Sequence, residues 1–280
     1  MTMELGSIGL WTTDRAIGEG NAAEAAQLAE ELGYGTLWLG GSPPPSAVRP
    51  LLAATERLIV ATGITNVWAD DPERVAAETA ELADAFGDRF LLGVGIGHPE
   101  ATSDYARPLT AMRRYLDGLD GAPRPVPADR RCLAALGPKM LDLSAERSLG
   151  THPYFTPPEH TRFARQRVGA ALVAPELACV LDTDATRARE TAREYARRYL
   201  GLSNYTSNLL RFGFDESDLQ HGGSDRLIDA VVPQGSAERL AAAVGAHLDA
   251  GADHVCVQTV GVRGVPAGEW SELAAVLGLH

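Results

Sequence analysis

What most constrains the fold of this chain is an alternation. A short apolar, β-rich run is followed by a helix-like segment, and the pair recurs eight times. The runs are ELGSIGLW, TLWLGG, LIVATGIT, FLLGVGIG, RCLAALG, LGTHPYF, ALVAPELACVL and HVCVQTV. Strands separated by helices pair in parallel, with right-handed crossovers. Eight such units favour closure into a barrel over an open doubly wound sheet, and 280 residues suit one barrel of ~250. The expected fold is therefore α/β, a (β/α)8 TIM barrel forming a single domain over residues 1–280.

The helix signals have physical causes. An Ala/Glu/Leu helix is expected from about Glu19 to Leu32, closed by Gly33, and a second near Ala47 to Thr55. Asp71 can cap and Pro72 suits a first helical turn. Val75, Thr79, Leu82 and Phe86 then fall on one face, and Gly87 stops the helix. Between the seventh and eighth strands lies a long helical region broken by GFDESDLQHGGSD, an irregular insertion. Ser236 caps a further helix carrying Leu240, Val244 and Leu248 and ended by Gly251, and Trp270 to Leu279 closes the chain.

Charge and composition exclude several functions. A formal net charge of -12 repels phosphate backbones and anionic lipid, so neither nucleic acid nor membrane is an expected partner. No run approaches the ~20 apolar residues of a membrane span. The start MTMELGSIGL lacks a basic region, so no signal peptide is expected and the location is read as cytoplasmic. Cys132, Cys179 and Cys256 lie far apart in apolar runs and read as buried small hydrophobes.

LLGVGIGHPE, residues 91–100, looks at first like a dinucleotide loop. That fingerprint is G-x-G-x-x-G after the first strand. Here the spacing is G-x-G-x-G, His98 stands at the third glycine position, and the strand is the fourth. Gly95 and Gly97 read instead as a strand end that lets a flat ligand approach the backbone. No HxH, HExxH or acid cluster has ligand spacing, so no metal site is expected. No G-x-S-x-G elbow is present for a serine hydrolase.

In a barrel the carboxyl ends of the strands supply the site. His98 is either a loop cap or functional. Glu100 is either a helix cap or a functional carboxylate. His152 occupies a strand position where Val or Ile would be ordinary. Trp11 and Trp38 are either core or walls of a ring pocket. Lys139 opens a helix, where a cation and free N–H groups together favour phosphate. His160 reads as structural, His221, His247 and His280 as exposed, and His254 as lying at the far face of the barrel.

The order LWLGG, ATGITNVWADDPERVAAETAEL, FLLGVGIGHPE, LAALGPKMLDLSAERSLGTHPYFTPPEHT and VVPQGSAERLAAAVGAHLDAGADHVCVQ resembles the bacterial luciferase-like monooxygenase superfamily. It is most similar to the branch of oxidoreductases that uses the deazaflavin coenzyme F420. The resemblance runs from about Met3 to the C-terminus. It implies a TIM barrel with the cofactor at the C-terminal mouth, and a bulge after strand three, with a non-prolyl cis peptide, at Gly63-Ile64. It implies that Trp11, Gly40, Gly41, Gly63, Ile64, Thr65, Asn66, Gly97 and His98 surround the ring. Gly137, Pro138, Lys139, Met140, Thr151, His152 and Pro153 would hold the ribityl and phosphate groups. Several relatives carry an Asp-His pair where this chain has Gly40-Gly41, so acid/base work would pass to His98, Glu100 or His152. The implied activity is hydride transfer with F420 to or from an organic substrate, and relatives suggest a homodimer. An FMN-dependent monooxygenase and a non-catalytic flavin-binding barrel are the alternatives.

Overall fold

The computed structural model describes residues 3–101 and 105–280. Among these, the strands are β1 (Ile8–Thr13), β2 (Thr36–Gly40), β3 (Ile59–Gly63), β4 (Thr65–Asn66), β5 (Phe90–Gly95), β6 (Arg131–Leu133), β7 (Gly150–Thr151), β8 (Leu172–Val173), β9 (Glu176–Leu181), β10 (Gln234–Gly235) and β11 (Val255–Thr259). The helices are α1 (Asp14–Ile17), α2 (Ala22–Glu31), α3 (Arg49–Ala53), α4 (Pro72–Phe86), α5 (Pro108–Gly121), α6 (Pro138–Arg147), α7 (Pro158–Val168), α8 (Ala185–Leu200), α9 (Ser203–Arg211), α10 (Asp225–Val231), α11 (Ala237–Asp249) and α12 (Ala267–Leu277).

All strand pairs are parallel, in the order β10-β9-β11-β1-β2-β3-β5-β6-β7-β8, with β4 on β5. The run ALVAPELACVL closes the ring. Its first half, β8, pairs with β7, and its second half, β9, pairs with β11. The expected single seventh strand is thus split at Ala174-Pro175. Proline has no N–H to give a ladder, but its carbonyl still accepts from Cys256 N at 2.9 Å. The (β/α)8 barrel expected from the sequence is present, with α8, α9, α10 and β10 inserted between its last two strands before α11.

Local chemistry sets the bounds. Asp71 accepts hydrogen bonds from Glu73 N and Arg74 N, and Pro72 begins α4. Ser236 caps α11 through Arg239 N. α2 begins later than expected, at Ala22, because Gly18 and Gly20 hold positive φ values of 89 and 87 that a helix does not admit, and Asn21 Nδ2 donates back to Ile17 O. The second helix is a 3₁₀ turn, Pro45–Val48, running into α3, with prolines opening both pieces.

Trp38, Ile59, Ala61, Leu91, Cys132, Ala174 and Cys256 pack together inside the barrel. A larger core lies between strands and helices, and a third lies beneath α8, α9 and α10. All three cysteines are buried and free. His247 corrects its expected exposure: it is buried, and its Nδ1 lies 2.8 Å from Thr161 Oγ1. Among the described residues no helix is long and apolar enough to cross a membrane.

Candidate active site

The strand ends expected to hold a ligand divide at Gly63 into a half that Trp11 fills and a half around Ile64, Asn66, Gly97 and His98, open only in that Trp11 does not fill it. On the open half, β3 ends at Gly63, the Gly63-Ile64 peptide is cis, and β4 then restarts against β5. The bulge expected after strand three is therefore present. Asn66 accepts from Trp68 N at 3.0 Å, and Trp68 Nε1 donates to Ile96 O at 2.7 Å. Gly97 has φ +65 and lies against the Asn66 amide, 3.1 Å from where its own Cβ would stand. Ile64, Asn66, Gly97 and His98 thus share one half-buried wall.

Two expectations on this side need correction. A Cβ at Gly93 would overlap Thr62 O, and one at Gly95 would overlap the Ile64 side chain. Those glycines seat the bulge, so Gly95 does not clear space for a ring. Thr65 is fully buried and donates to Pro43 O at 2.9 Å. It ties down the loop after β2 and does not face the mouth.

His98 is fixed by the insertion. Its Nδ1–H donates to Asn204 Oδ1 at 3.0 Å, and its ring lies 5.1 Å from that of Tyr205. With Nδ1 occupied, Nε2 keeps the lone pair. Burial, the largest cause, lowers the His98 pKa below its ordinary value, against a smaller raising effect of the Asn204 bond. Glu100 is exposed, and its carboxylate accepts from Ser203 N at 3.0 Å, which lowers its pKa. It caps a helix as one reading expected, but the helix is α9 in the insertion. A negative group favours that N-terminus.

On the filled half, Trp11 takes up room expected for a ligand. A Cβ at Gly40 would overlap the far edge of its indole, and one at Gly63 would come 2.5 Å from Trp11 Nε1. Gly40 and Gly63 are therefore glycine for the tryptophan. Trp11 is buried, its Nε1–H has no partner, and Tyr154 lies 5.1 Å away ring to ring. Gly41 is exposed, with φ +92.

His152 lies inside the barrel. It is 2% exposed and stacks on Trp38 at 4.2 Å, and its Nδ1–H donates to Ala174 O at 2.7 Å. Burial lowers its pKa to about 4, so it is a neutral core imidazole. Thr151 and Pro153 are buried beside it. Across the mouth, Gly137 precedes α6, and a Cβ there would meet nothing within 4 Å. Pro138 and Met140 are half-buried, and Lys139 is exposed in the first turn of α6. It is the chain's single lysine.

Sequence reasoning did not reach the residues that the insertion and the last strands bring to this end. Tyr154 OH lies 2.6 Å from Tyr195 OH and 3.0 Å from Tyr199 OH. Gln258 Oε1 lies 2.9 Å from Tyr154 OH and 3.0 Å from Tyr195 OH and accepts from whichever of the two does not donate to the other. The tyrosines at 195 and 199, four apart on one helix face, were a usable signal. Nothing in the sequence pairs Asn204 with His98.

Residues 3–117 match the family model described as luciferase-like monooxygenase. Over these residues the chain is similar to that family. The chain is also similar to the 5,10-methylenetetrahydromethanopterin reductase of Methanolobus tindarius, 26% identical over 211 residues. That match spans 61% of this chain and 64% of the reductase, under two thirds of its length. In fold it is similar to an F420-dependent secondary alcohol dehydrogenase solved with an F420-acetone adduct, with a TM-score of 0.76, 16% identity and 98% coverage of each chain. It is also similar to the oxygenating constituent of 3,6-diketocamphane monooxygenase from Pseudomonas putida, solved with FMN. There the TM-score is 0.66, the identity 14%, and the coverage 98% of this chain and 97% of that one. The two structural likenesses show the fold, a TIM barrel. The luciferase-like neighbours are enzymes, F420-dependent oxidoreductases and flavin monooxygenases.

Proposed function

We propose that this protein is an oxidoreductase that uses coenzyme F420 to move a hydride to or from an organic substrate at the barrel mouth. The observation that carries the reading is His98, held by Asn204 in one tautomer on the same wall as Gly97, Asn66 and Ile64. Two of the chain's relatives are named for F420.

The open half of the mouth fits a flat ring with a phosphate-bearing tail. Gly97 takes a left-handed φ of +65 that favours glycine and packs against Asn66, and Gly137 has free space where a Cβ would stand. In the first turn of α6, Pro138 has no N–H and those of Met140 and Leu141 donate to Gly137 O, so the Lys139 N–H and ammonium are what that turn offers a phosphate. The filled half does not fit a ring, because Trp11 already occupies the space over Gly40 and Gly63. The residues that would hold the cofactor are Ile64, Asn66, Gly97, Gly137, Pro138 and Lys139, with Met140 beside them. Bound there, the deazaflavin supplies a ring carbon that accepts or gives up hydride.

This chain's own residues do the rest. Ile64 and Gly97 set the position of the ring, and hydride transfer depends mostly on position. His98 is neutral near pH 7, because burial disfavours its cation. Its Nε2 is thus ready to take a proton from a substrate hydroxyl as that carbon is oxidised.

The second reading is an FMN-dependent monooxygenase, favoured by the family's description and the FMN-bound neighbour. Titration of the purified protein with each cofactor, followed by fluorescence, separates them. Micromolar binding of F420 without comparable binding of FMN is expected. The reverse order would establish the second reading, and binding of neither would remove both.

A further inference from the structure

A buried acid takes no part in that chemistry. Glu176 opens β9 and pairs with Cys256 on β11. It is 1% exposed. Its Oε2 accepts from Phe155 N at 3.3 Å, while among the described residues buried Oε1 has no hydrogen bond of good geometry and Tyr195 is the hydroxyl beside the carboxyl. The titratable groups that act on it or that it acts on are Tyr154, Tyr195, Tyr199 and Tyr205, from the segment after β7 and from α8 and α9, with Cys179 and Cys256 on its own strand and the next. Among the described residues none of the groups acting on its carboxyl is a cation.

A carboxylate sealed from water without a cation is costly, so such a group keeps its proton. Burial is the largest effect here and pushes Glu176 up to about 8, against smaller lowering by Phe155 N–H and the Tyr195 hydroxyl. A neutral carboxyl carries an O–H donor. From it a line of hydroxyls leads outward. Tyr195 lies beside the carboxyl, Tyr154 OH is 2.6 Å from Tyr195 OH, and half-buried Tyr199 is 3.0 Å beyond. Burial raises all three phenols, so they stay protonated and can pass a proton on without holding a charge.

We propose that Glu176 is the proton store of this mouth, exchanging its proton with the substrate side through Tyr195, Tyr154 and Tyr199. The proposal rests on the reading of the mouth as a hydride-transfer site. When hydride reaches a carbonyl carbon, the C=O π pair becomes an alkoxide lone pair, and that oxygen takes the Tyr199 proton. Tyr199 is reprotonated by Tyr154, Tyr154 by Tyr195, and Tyr195 by Glu176. Glu176 is left as a carboxylate until a proton returns from solvent by the reverse path, and no electron passes along the hydroxyls. His98 and Glu176 are then base and acid of one site, set apart by their surroundings. Glu176 acts through the phenols and is a positioning residue in that sense.

Infrared difference spectroscopy tests this on the protein without any cofactor. Wild type minus E176Q at pH 7 is expected to show one protonated-carboxyl band, which fades as the pH is raised past about 8. On transfer to D2O that band should shift promptly in wild type and an order of magnitude more slowly in Y154F, which keeps the ring and removes the hydroxyl. If E176Q fails to fold, Y154F and Y195F are compared with wild type through the same band. Absence of the band, or equal exchange rates in wild type, Y154F and Y195F, overturns the store. A protein that behaves as expected here yet binds neither F420 nor FMN would refute the proposed function and leave the store standing.

Discussion

His98 Nδ1 lies 3.0 Å from Asn204 Oδ1, and that bond joins the end of β5 to the first turn of α9. Two residues on, Glu100 accepts from Ser203 N at 3.0 Å and fastens the same two segments. The insertion therefore does more than cover the barrel, because it sets the tautomer of the mouth's one half-buried histidine. The Asn204 bond favours the cation of His98, while burial disfavours it more strongly. N204A is expected to push the His98 pKa further down, and N204D to pull it up by placing a carboxylate at the same atom. Proton NMR of the imidazole against pH reads both shifts. Turnover in N204A should fall by about tenfold, less than the roughly 10²–10⁴-fold that a general acid–base group contributes, because His98 itself remains. An unmoved His98 titration in both variants would separate Asn204 from the histidine.

The barrel itself was readable because each unit announces itself. Apolar runs alternate with stretches bounded by Asp71, Pro72 and Gly87, or by Ser236 and Gly251, and each of those signals acts within a few residues. The site was less readable, since its relationships are long-range. Gly40, Gly63 and Gly95 announce only that space is needed. Whether a cofactor, Trp11 or Ile64 fills it depends on side-chain directions across neighbouring strands. His152 and His247 look alike in sequence to a functional or a solvated histidine, and both are core. Asn204 sits 106 residues from His98, beyond the reach of any local pattern.

The packing of Trp11 against Gly40 gives a steric test. G40A forces the indole out of its seat, an overpacking change expected to cost about 1–3 kcal/mol. In a W11A background the same substitution should cost much less, because the clashing ring is gone. Chemical denaturation of the four proteins closes the cycle, and the coupling between neighbours in contact should be at least about 0.5 kcal/mol. Equal costs in both backgrounds would mean that the ring does not rest on Gly40.

Four buried histidines make the fold sensitive to acid. Burial holds His152, His160, His247 and His254 near a pKa of about 4, whereas the unperturbed value is 6.5. Between those values the unfolded chain binds more protons than the folded one, so stability rises with pH there. Their contribution is fully present above 6.5 and is lost as the pH falls toward about 4. Glu176 has the opposite sign. Raised from 4.5 to about 8, it erodes stability as the pH climbs through that window. Urea unfolding at a series of pH values should show a maximum near where the histidine window ends, and E176Q should flatten the fall above pH 6.5 and steepen the rise between 4.5 and 6.5. A stability that stays level from pH 6.5 to 4.5 would show that these imidazoles take up protons while folded.

Lys139 offers the most selective probe of the mouth, because it is the only lysine in the sequence and stands in the first turn of α6. If the cofactor's phosphate sits at that helix start, the lysine adds a point charge to the partial positive charge of the helix N-terminus. K139A should weaken F420 binding several-fold at low ionic strength, and the difference should shrink as salt screens the pair. K139R keeps the charge and should retain most of the affinity. An amine-directed reagent should modify Lys139 besides the chain's amino terminus, and bound cofactor should slow the reaction at the lysine alone. Equal affinity in K139A at every salt concentration, with no protection by the cofactor, would move the phosphate away from α6.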